Sequence, residues 1–262
     1  MMNGTFLRGA QLVRRVQNRL RPPLPVFRVL NSNKQKFTCP ICDYEGPFAD
    51  FRSFAGFRKH AICPQCGALE RHRLQYLAVQ NVLENLRTQE MRMLHFAPEE
   101  CFRAIFSRRF PKYETADLFM DGVDHKVDIR NLPFEDESYD IIFASHVLEH
   151  IRDDRKVVQE IRRVLKTNGI AILPVPIVST STIEYPEPNP HEAGHVRSPG
   201  VDYFDRYREY FGRVDVHASE AYPERNQVFI YEDRSLWPTK ECPLRPPMQG
   251  ERHSDFVPVC YV

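Results

Sequence analysis

No apolar run in the 262 residues approaches the roughly 18 residues that a membrane-spanning helix needs. No apolar segment of signal-peptide type stands near the start, so the chain reads as cytoplasmic, where thiols stay reduced. There is one tryptophan, and no run of aromatics interleaved with Lys or Arg forms a stacking platform for single-stranded nucleic acid. Internal repeats and low-complexity tracts are also missing. Residues 1–42 lack any Asp or Glu, yet hold Arg8, Arg14, Arg15, Arg19, Arg21, Arg28, Lys34 and Lys36. The formal net charge of +1 therefore hides a basic leader ahead of a body of net −7. Such a leader suits an anionic partner such as RNA, a phospholipid surface or a nucleotide-linked substrate, and it equally suits a solubilising tail.

Hydrophobic content of 42% and charged content of 27% are those of an ordinary globular protein. Composition divides the chain into a basic amphipathic leader (1–36), a cysteine-bearing module (37–70), a linking helix (71–90), an α/β domain (91–235) and a Pro-rich tail (236–262). In the leader, Phe6, Leu7, Leu12, Val13, Val16 and Leu20 recur at helical spacing until Pro22, Pro23 and Pro25 end any helix. From Met91 onward, strand patterns at 91–97, 113–118, 139–145, 169–175, 213–217 and 227–231 alternate with helical ones at 100–110, 153–165 and 203–211. That alternation predicts a doubly wound, mostly parallel sheet covered on both faces. Residues 180–200, rich in Pro, Glu and His, read as a long loop.

Cys39-Pro-Ile-Cys42 and Cys63-Pro-Gln-Cys66 are two C-x-x-C pairs with twenty residues between them. Each such turn lets two thiolates reach one tetrahedral ion at about 2.3 Å, and two turns complete the shell. Four thiolates predict a closed, structural Zn²⁺ site, with Phe48, Phe51, Phe54 and Phe57 as the small core around it. Such a module either binds nucleic acid or protein, or serves only as a folding staple.

The stretch "DIRNLPFEDESYDIIFASHVLEHIRDD", followed by "EIRRVLKTNGIAIL", resembles the Rossmann-type, class I S-adenosylmethionine-dependent methyltransferases. The correspondence is close over roughly 50 residues and looser over 91–232. It implies a seven-stranded sheet behind an N-terminal zinc ribbon, with S-adenosylmethionine as cofactor. Asp117 ends the second strand, where an acidic side chain binds ribose hydroxyls in nucleoside-binding βαβ units. By resemblance, Asp128 meets the adenine amino group with Ile129 beside the ring, and His95, Phe96, Ala97, Glu99, Leu118 and Ser145 complete the cofactor pocket. Lys166-Thr167-Asn168-Gly169 reads as a left-handed helix end before the next strand. One departure stands out. Where the family has a Gly-rich loop, this chain reads Leu94-His95-Phe96-Ala97-Pro98-Glu99-Glu100-Cys101, with no glycine. Either the loop takes another path, with Glu99 meeting the positively charged methionine end, or cofactor binding has been lost. A zinc-ribbon-bearing branch of the family has a similar L-H-F-A-P-E loop.

His191-Glu192-Ala193-Gly194-His195 matches the zinc-protease pattern H-E-x-x-H, but Pro186, Pro188, Pro190 and Gly194 argue against the helix it requires. Within the methyltransferase resemblance, His195, His146 and Glu184 are the candidate catalytic groups, and Arg197, Tyr185 and His150 the candidate substrate contacts. The leading expectation is methyl transfer to an O, N or C nucleophile of a small molecule or saccharide. An RNA methyltransferase that reads its substrate through the zinc ribbon, or a non-catalytic binding protein, are the alternatives. Residues 5–20 are the candidate for peripheral membrane contact.

Overall fold

The computed structural model describes residues 22–52, 56–240 and 242–262. The leader helix expected over residues 5–20 lies outside them. The chain divides into two compact units. One comprises the chain up to Leu77 with Glu187–His195 and Ala218–Asp255; the other comprises Ala78–Pro186, Val196–His217 and Phe256–Val262.

The first unit opens with helix α1 (Leu24–Leu30), for which Pro23 and Pro25 preset the entry and which stops at Asn31. The Asn31 side-chain amide donates back to Phe27 O at 2.8 Å, satisfying one of the carbonyls at the helix end. Strands β1 (Phe37–Thr38) and β2 (Glu45–Gly46) form a short antiparallel pair around the first cysteine turn. Strands β3 (Ala49–Arg52) and β4 (Phe57–Ile62) then form a hairpin. Two strands from far along the chain extend that hairpin: β13 (Ile230–Glu232) pairs with β4, and β14 (Arg252–His253) pairs with β13. The strand expected near residues 227–231 thus exists, but it belongs to this small sheet and not to the large one. The expected phenylalanine core is corrected too. Phe48 is fully buried and Phe51 partly so, Phe54 lies outside the described residues, and Phe57 is 43% exposed; Phe37 and Tyr44 join Phe48 around the cysteines.

The linking helix is α2 (Glu70–Leu83). The second unit is built on a seven-stranded sheet of β5 (Arg92–Phe96), β6 (Lys112–Asp117), β7 (His125–Lys126), β8 (Tyr139–Ala144), β9 (Leu165–Ile172), β12 (Arg213–Ala218) and β15 (Phe256–Tyr261). The spatial order is β12-β15-β9-β8-β5-β6-β7. Counting only these seven in chain order, the sheet reads 3-2-1-4-5-7-6. Its first five strands are parallel to their neighbours, and the seventh runs antiparallel to the fifth. The last strand corrects the expectation of a Pro-rich tail. Val257, Val259 and Cys260 are essentially inaccessible, and Val259 to Tyr261 pair with Ile170 to Ile172. Helices α3 (Glu100–Arg109) and α4 (Asp154–Val164) supply the crossovers. Val157, Val158, Ile161 and Val164 of α4, spaced at three and four residues, all lie in the main core.

Two local expectations fail for identifiable reasons. Lys166 to Gly169 form no left-handed helix end; β9 begins immediately after α4, and the extra residues are absorbed as a bulge opposite Asp140. Lys166 Nζ closes the bulge on both Asp140 oxygens, at 2.8 and 2.9 Å. The segment 180–200 contains β10 (Ile183–Asn189) and β11 (His195–Ser198) in place of a long loop.

Candidate functional site

The four expected metal ligands converge. Cys39, Cys42, Cys63 and Cys66 place their sulfurs within 4.8 Å of one another, with Cys39–Cys66 at 3.7 Å and Cys42–Cys63 at 3.6 Å. Two ligands at 109° on an ion with Zn–S bonds of about 2.3 Å lie about 3.8 Å apart, so the spacing fits a thiolate tetrahedron and not disulfides. Both halves use the same turn. Asp43 N donates to Cys39 O and Cys39 N to Tyr44 O, while Gly67 N donates to Cys63 O and Cys63 N to Ala68 O. The residue after each second cysteine has positive φ, +57° at Asp43 and +74° at Gly67. Thiols this close cannot all ionise without a cation. Hydrogen bonds from Cys63 and Cys66 lower the Cys39 thiol, and the same contacts raise Cys63 and Cys66.

Sequence reasoning missed the residue beneath this centre. Arg73 is fully buried and donates to the carbonyls of Ala61, Ala68, Asn226 and Gln227 at 2.6–3.0 Å. Its guanidinium lies 4.4 Å from the Phe48 ring centroid. Nothing in the local sequence separates Arg73 from the half-buried Arg71 beside it.

In the second unit, the strand order reverses direction at β5, between β6 and β8. Ligand crevices of doubly wound sheets open at such a point, beyond the strands' carboxyl ends. Ala97, Asp117, Asp128 and Ser145 stand just at or beyond the ends of β5, β6, β7 and β8. Ala97 has φ +44°, a left-handed conformation that costs an alanine on the order of 1 kcal/mol. Its N–H donates to Ala116 O, so the glycine-free loop keeps the backbone shape that glycine normally supplies. Asp117 Oδ1 accepts from the backbone N–H groups of both Phe119 and Met120 at 2.6 Å, fixing the carboxylate at the strand end. Beside it, Leu118 and Phe119 are 45% and 43% exposed. Ile129 is buried, and Asp128 is held below the usual carboxylate range by its hydrogen bonds from Arg130. Ser145 is buried, Phe96 is buried, and Glu99 is half-buried at the start of α3.

His95 is corrected. Its ring packs between Phe106 and Phe143 and contacts the Tyr113 hydroxyl at 2.9 Å, inside the core. Burial lowers its pKa to about 3, so it is a neutral structural ring and no pocket wall. Arg197 is also corrected. It is 1% exposed, and it donates to Glu184 and to the carbonyls of Leu148, Ile151 and Arg152, leaving it tied into the fold. Burial would raise the Glu184 carboxyl, but hydrogen bonds from Arg197 and Arg206 outweigh it and lower the group, a poor setting for a base. Tyr185 is 2% exposed and offers its carbonyl to Arg152.

His146 also has a left-handed backbone, φ +54°, secured by its N–H bond to Pro174 O at 2.9 Å. Its Nδ1 lies 3.2 Å from a carboxylate oxygen of the fully buried Glu149, and half-buried His150 follows in the same turn. In the first unit, Ala193 and Gly194 have φ +55° and +82°, so the H-E-x-x-H segment is not helical, as the prolines imply. His191 is exposed, while Glu192 takes a bidentate pair from Arg245 at 2.7 and 3.0 Å. His195 Nδ1 sits 3.6 Å from Glu192. Burial opposes ionisation of Glu192, but His195 and Arg245 overcome it and hold the carboxyl at about 2.

The sheet order and the residues at its carboxyl ends meet an independent observation: residues 107–173 match the family model described as a methyltransferase domain. Those residues therefore carry the signature of a methyltransferase domain, on a sheet of Rossmann-like strand order. Among solved structures, the chain is similar in fold to the 1,6-didemethyltoxoflavin-N1-methyltransferase of Burkholderia thailandensis, solved with 1,6-didemethyltoxoflavin and S-adenosylhomocysteine. The match is 13% identical, covers 73% of this chain and 77% of that one, and has a TM-score of 0.50, a likeness of fold. An S-adenosylmethionine-dependent methyltransferase of Mesorhizobium loti is 13% identical over 72% of this chain and 98% of its own, with a TM-score of 0.47. A stretch of 60 residues, 23% of the chain, is 38% identical to a 37.1 kDa transposon-borne protein of Streptomyces fradiae, and spans 17% of that relative's length. Among the described residues no helix is long and apolar enough to cross a membrane.

Proposed function

We propose that the protein transfers the methyl group of S-adenosylmethionine to an oxygen, nitrogen or carbon nucleophile of a small-molecule or saccharide acceptor. The observation that carries this reading is the left-handed Ala97 facing the fixed carboxylate of Asp117 across adjacent strand ends of a 3-2-1-4-5-7-6 sheet. That pair supplies close backbone approach and a ribose acceptor, the two features a nucleoside site needs. Bound there, S-adenosylmethionine supplies an electrophilic methyl group on a sulfonium. The chain's part is to hold and align. Asp117 has a second carboxylate oxygen outside the turn bonds and would accept from ribose hydroxyls. Leu118 and Ile129 would flank the base, with Asp128 near its amino group, and Glu99 would face the cationic methionine end.

A Glu149 carboxylate oxygen 3.2 Å from His146 Nδ1 would favour the tautomer that leaves Nε2 to accept a proton. His146 is therefore the favoured base for an acceptor hydroxyl or amine. Alignment and desolvation of the acceptor supply much of such a reaction, so loss of the base is expected to slow rather than abolish it. The four cysteines are inferred to hold one structural Zn²⁺, with Arg73 offsetting the thiolate charge.

Titration calorimetry with S-adenosylmethionine and S-adenosylhomocysteine tests the reading. Binding of either, weakened by roughly tenfold or more in Asp117→Ala, is the expected result. No binding of either at millimolar concentration removes it and leaves a binding protein with a degenerate cofactor loop.

A further inference from the structure

Helix α1 carries an apolar face that nothing among the described residues covers. Val26, Val29 and Leu30, at i, i+3 and i+4, are 46%, 73% and 69% exposed. With Pro25 they line one shallow depression and nothing else does. The opposite side of the helix is anchored: Phe27 is buried, and Leu24 packs on the cluster of Phe37, Cys39, Tyr44 and Phe48. The outward direction of Val29 and Leu30 is therefore set by the cysteine module and is not a frayed end.

A second feature adjoins it. A cavity of about 460 Å³ is lined by Arg28, Ser32, Lys36 and Thr38, with Glu45 on its wall. Arg28 is steadied there, its guanidinium 4.9 Å from the Tyr44 ring centroid and bonded to Glu45 O. Lys34, by contrast, is committed to Asp50 at 3.1 Å. The surrounding sequence holds eight Lys or Arg and no acid before Asp43.

We propose that α1 and the adjoining Arg28–Lys36 cavity form a peripheral docking surface for an anionic phospholipid bilayer. Protruding aliphatic side chains beside paired cations match the acyl boundary and the headgroup layer of such a surface. RNA fits less well, because strands are held by phosphate contacts and stacking aromatics, whereas the exposed groups here are aliphatic. Arg28 and Lys36 outnumber Glu45 around the cavity, so its net charge is positive and favours an anionic partner over a basic one.

The test is vesicle co-sedimentation of the full chain. Vesicles of phosphatidylcholine with 30 mol% phosphatidylglycerol are expected to bind at least tenfold better than phosphatidylcholine alone, and less well as salt rises. The double variant Val29→Glu/Leu30→Glu, at exposed positions that leave the fold intact, should lower partitioning by roughly 100-fold. Arg28→Gln/Lys36→Gln should abolish the preference for the anionic lipid while leaving the thermal melt unchanged. Failure of the wild-type chain to bind anionic vesicles overturns the proposal, as does binding that survives Val29→Glu/Leu30→Glu. Binding to polyuridylate in place of vesicles overturns it in favour of RNA. A dimer in solution that Val29→Glu/Leu30→Glu dissociates, with no vesicle binding, assigns the face to a second copy.

Discussion

Replacing Arg73 by Met removes a buried guanidinium that binds four backbone carbonyls from three separate stretches of chain. All four carbonyls lose this donor, and among them Ala68 O keeps another, from Cys63 N. An unsatisfied buried carbonyl costs about 1–3 kcal/mol, while the apolar replacement is spared the desolvation that lowers the arginine's own pKa. The expected net loss is about 3–5 kcal/mol, the range for breaking a buried charged network. Urea unfolding of the cysteine-bearing unit, followed by circular dichroism, measures it. Release of metal to a chromogenic chelator should quicken in parallel, because a positive charge beside the thiolates is gone. Arg73→Lys should recover part of the charge effect and little of the stability, since an ammonium cannot span all four carbonyls. A stability loss under about 1 kcal/mol for Arg73→Met would refute the claim that this side chain ties the unit together.

Other outcomes follow from the same geometry. The protein should carry one zinc per chain by mass spectrometry of the native protein, and Cys39→Ser should lose it; a metal-free, fully folded wild type would sink that assignment. Hydrogen bonds from Arg163 hold Glu160 down at about 2, against an unfolded value near 4.5. A lowered carboxylate contributes stability above the unfolded pKa and loses it as pH falls through the folded one, so unfolding free energy should decline from about pH 4.5 toward pH 2. Glu160→Gln should cost about 2 kcal/mol at pH 7 and flatten that acid limb; an unchanged slope would mean Leu132 N and Arg163 are held by other means. Replacing His95 by Phe is expected to leave S-adenosylhomocysteine affinity within about threefold, because the ring is core; a larger loss would return His95 to the pocket.

The cysteine centre was legible because its chemistry is local. Two C-x-x-C turns close on themselves, each with its own backbone bonds, whatever the rest of the chain does. The place of Asp117 at a strand end was legible for a similar reason: its carboxylate turns onto the amides two and three residues further on. Arg197 misled because an arginine near a candidate acceptor loop and an arginine buried against Glu184 and three carbonyls look the same in sequence. His95 misled likewise, since whether a strand-end imidazole faces a ligand or a phenylalanine core depends on the helix laid over it.

By itself the sequence determined the alternating α/β order, the two cysteine turns and the residues at the ends of the parallel strands. Periodicity and short-range turns encode these within a few residues of each site. Only the tertiary structure decided where residues 218–262 go. Ile230–Glu232 and Arg252–His253 extend the β3–β4 hairpin, whereas Phe256–Tyr261 returns to the large sheet beside β9. A strand of two to six residues carries too little pattern to name its partner. The pairing is chosen by which open sheet edge and which buried apolar face it completes, and both are assembled from residues far away in the chain.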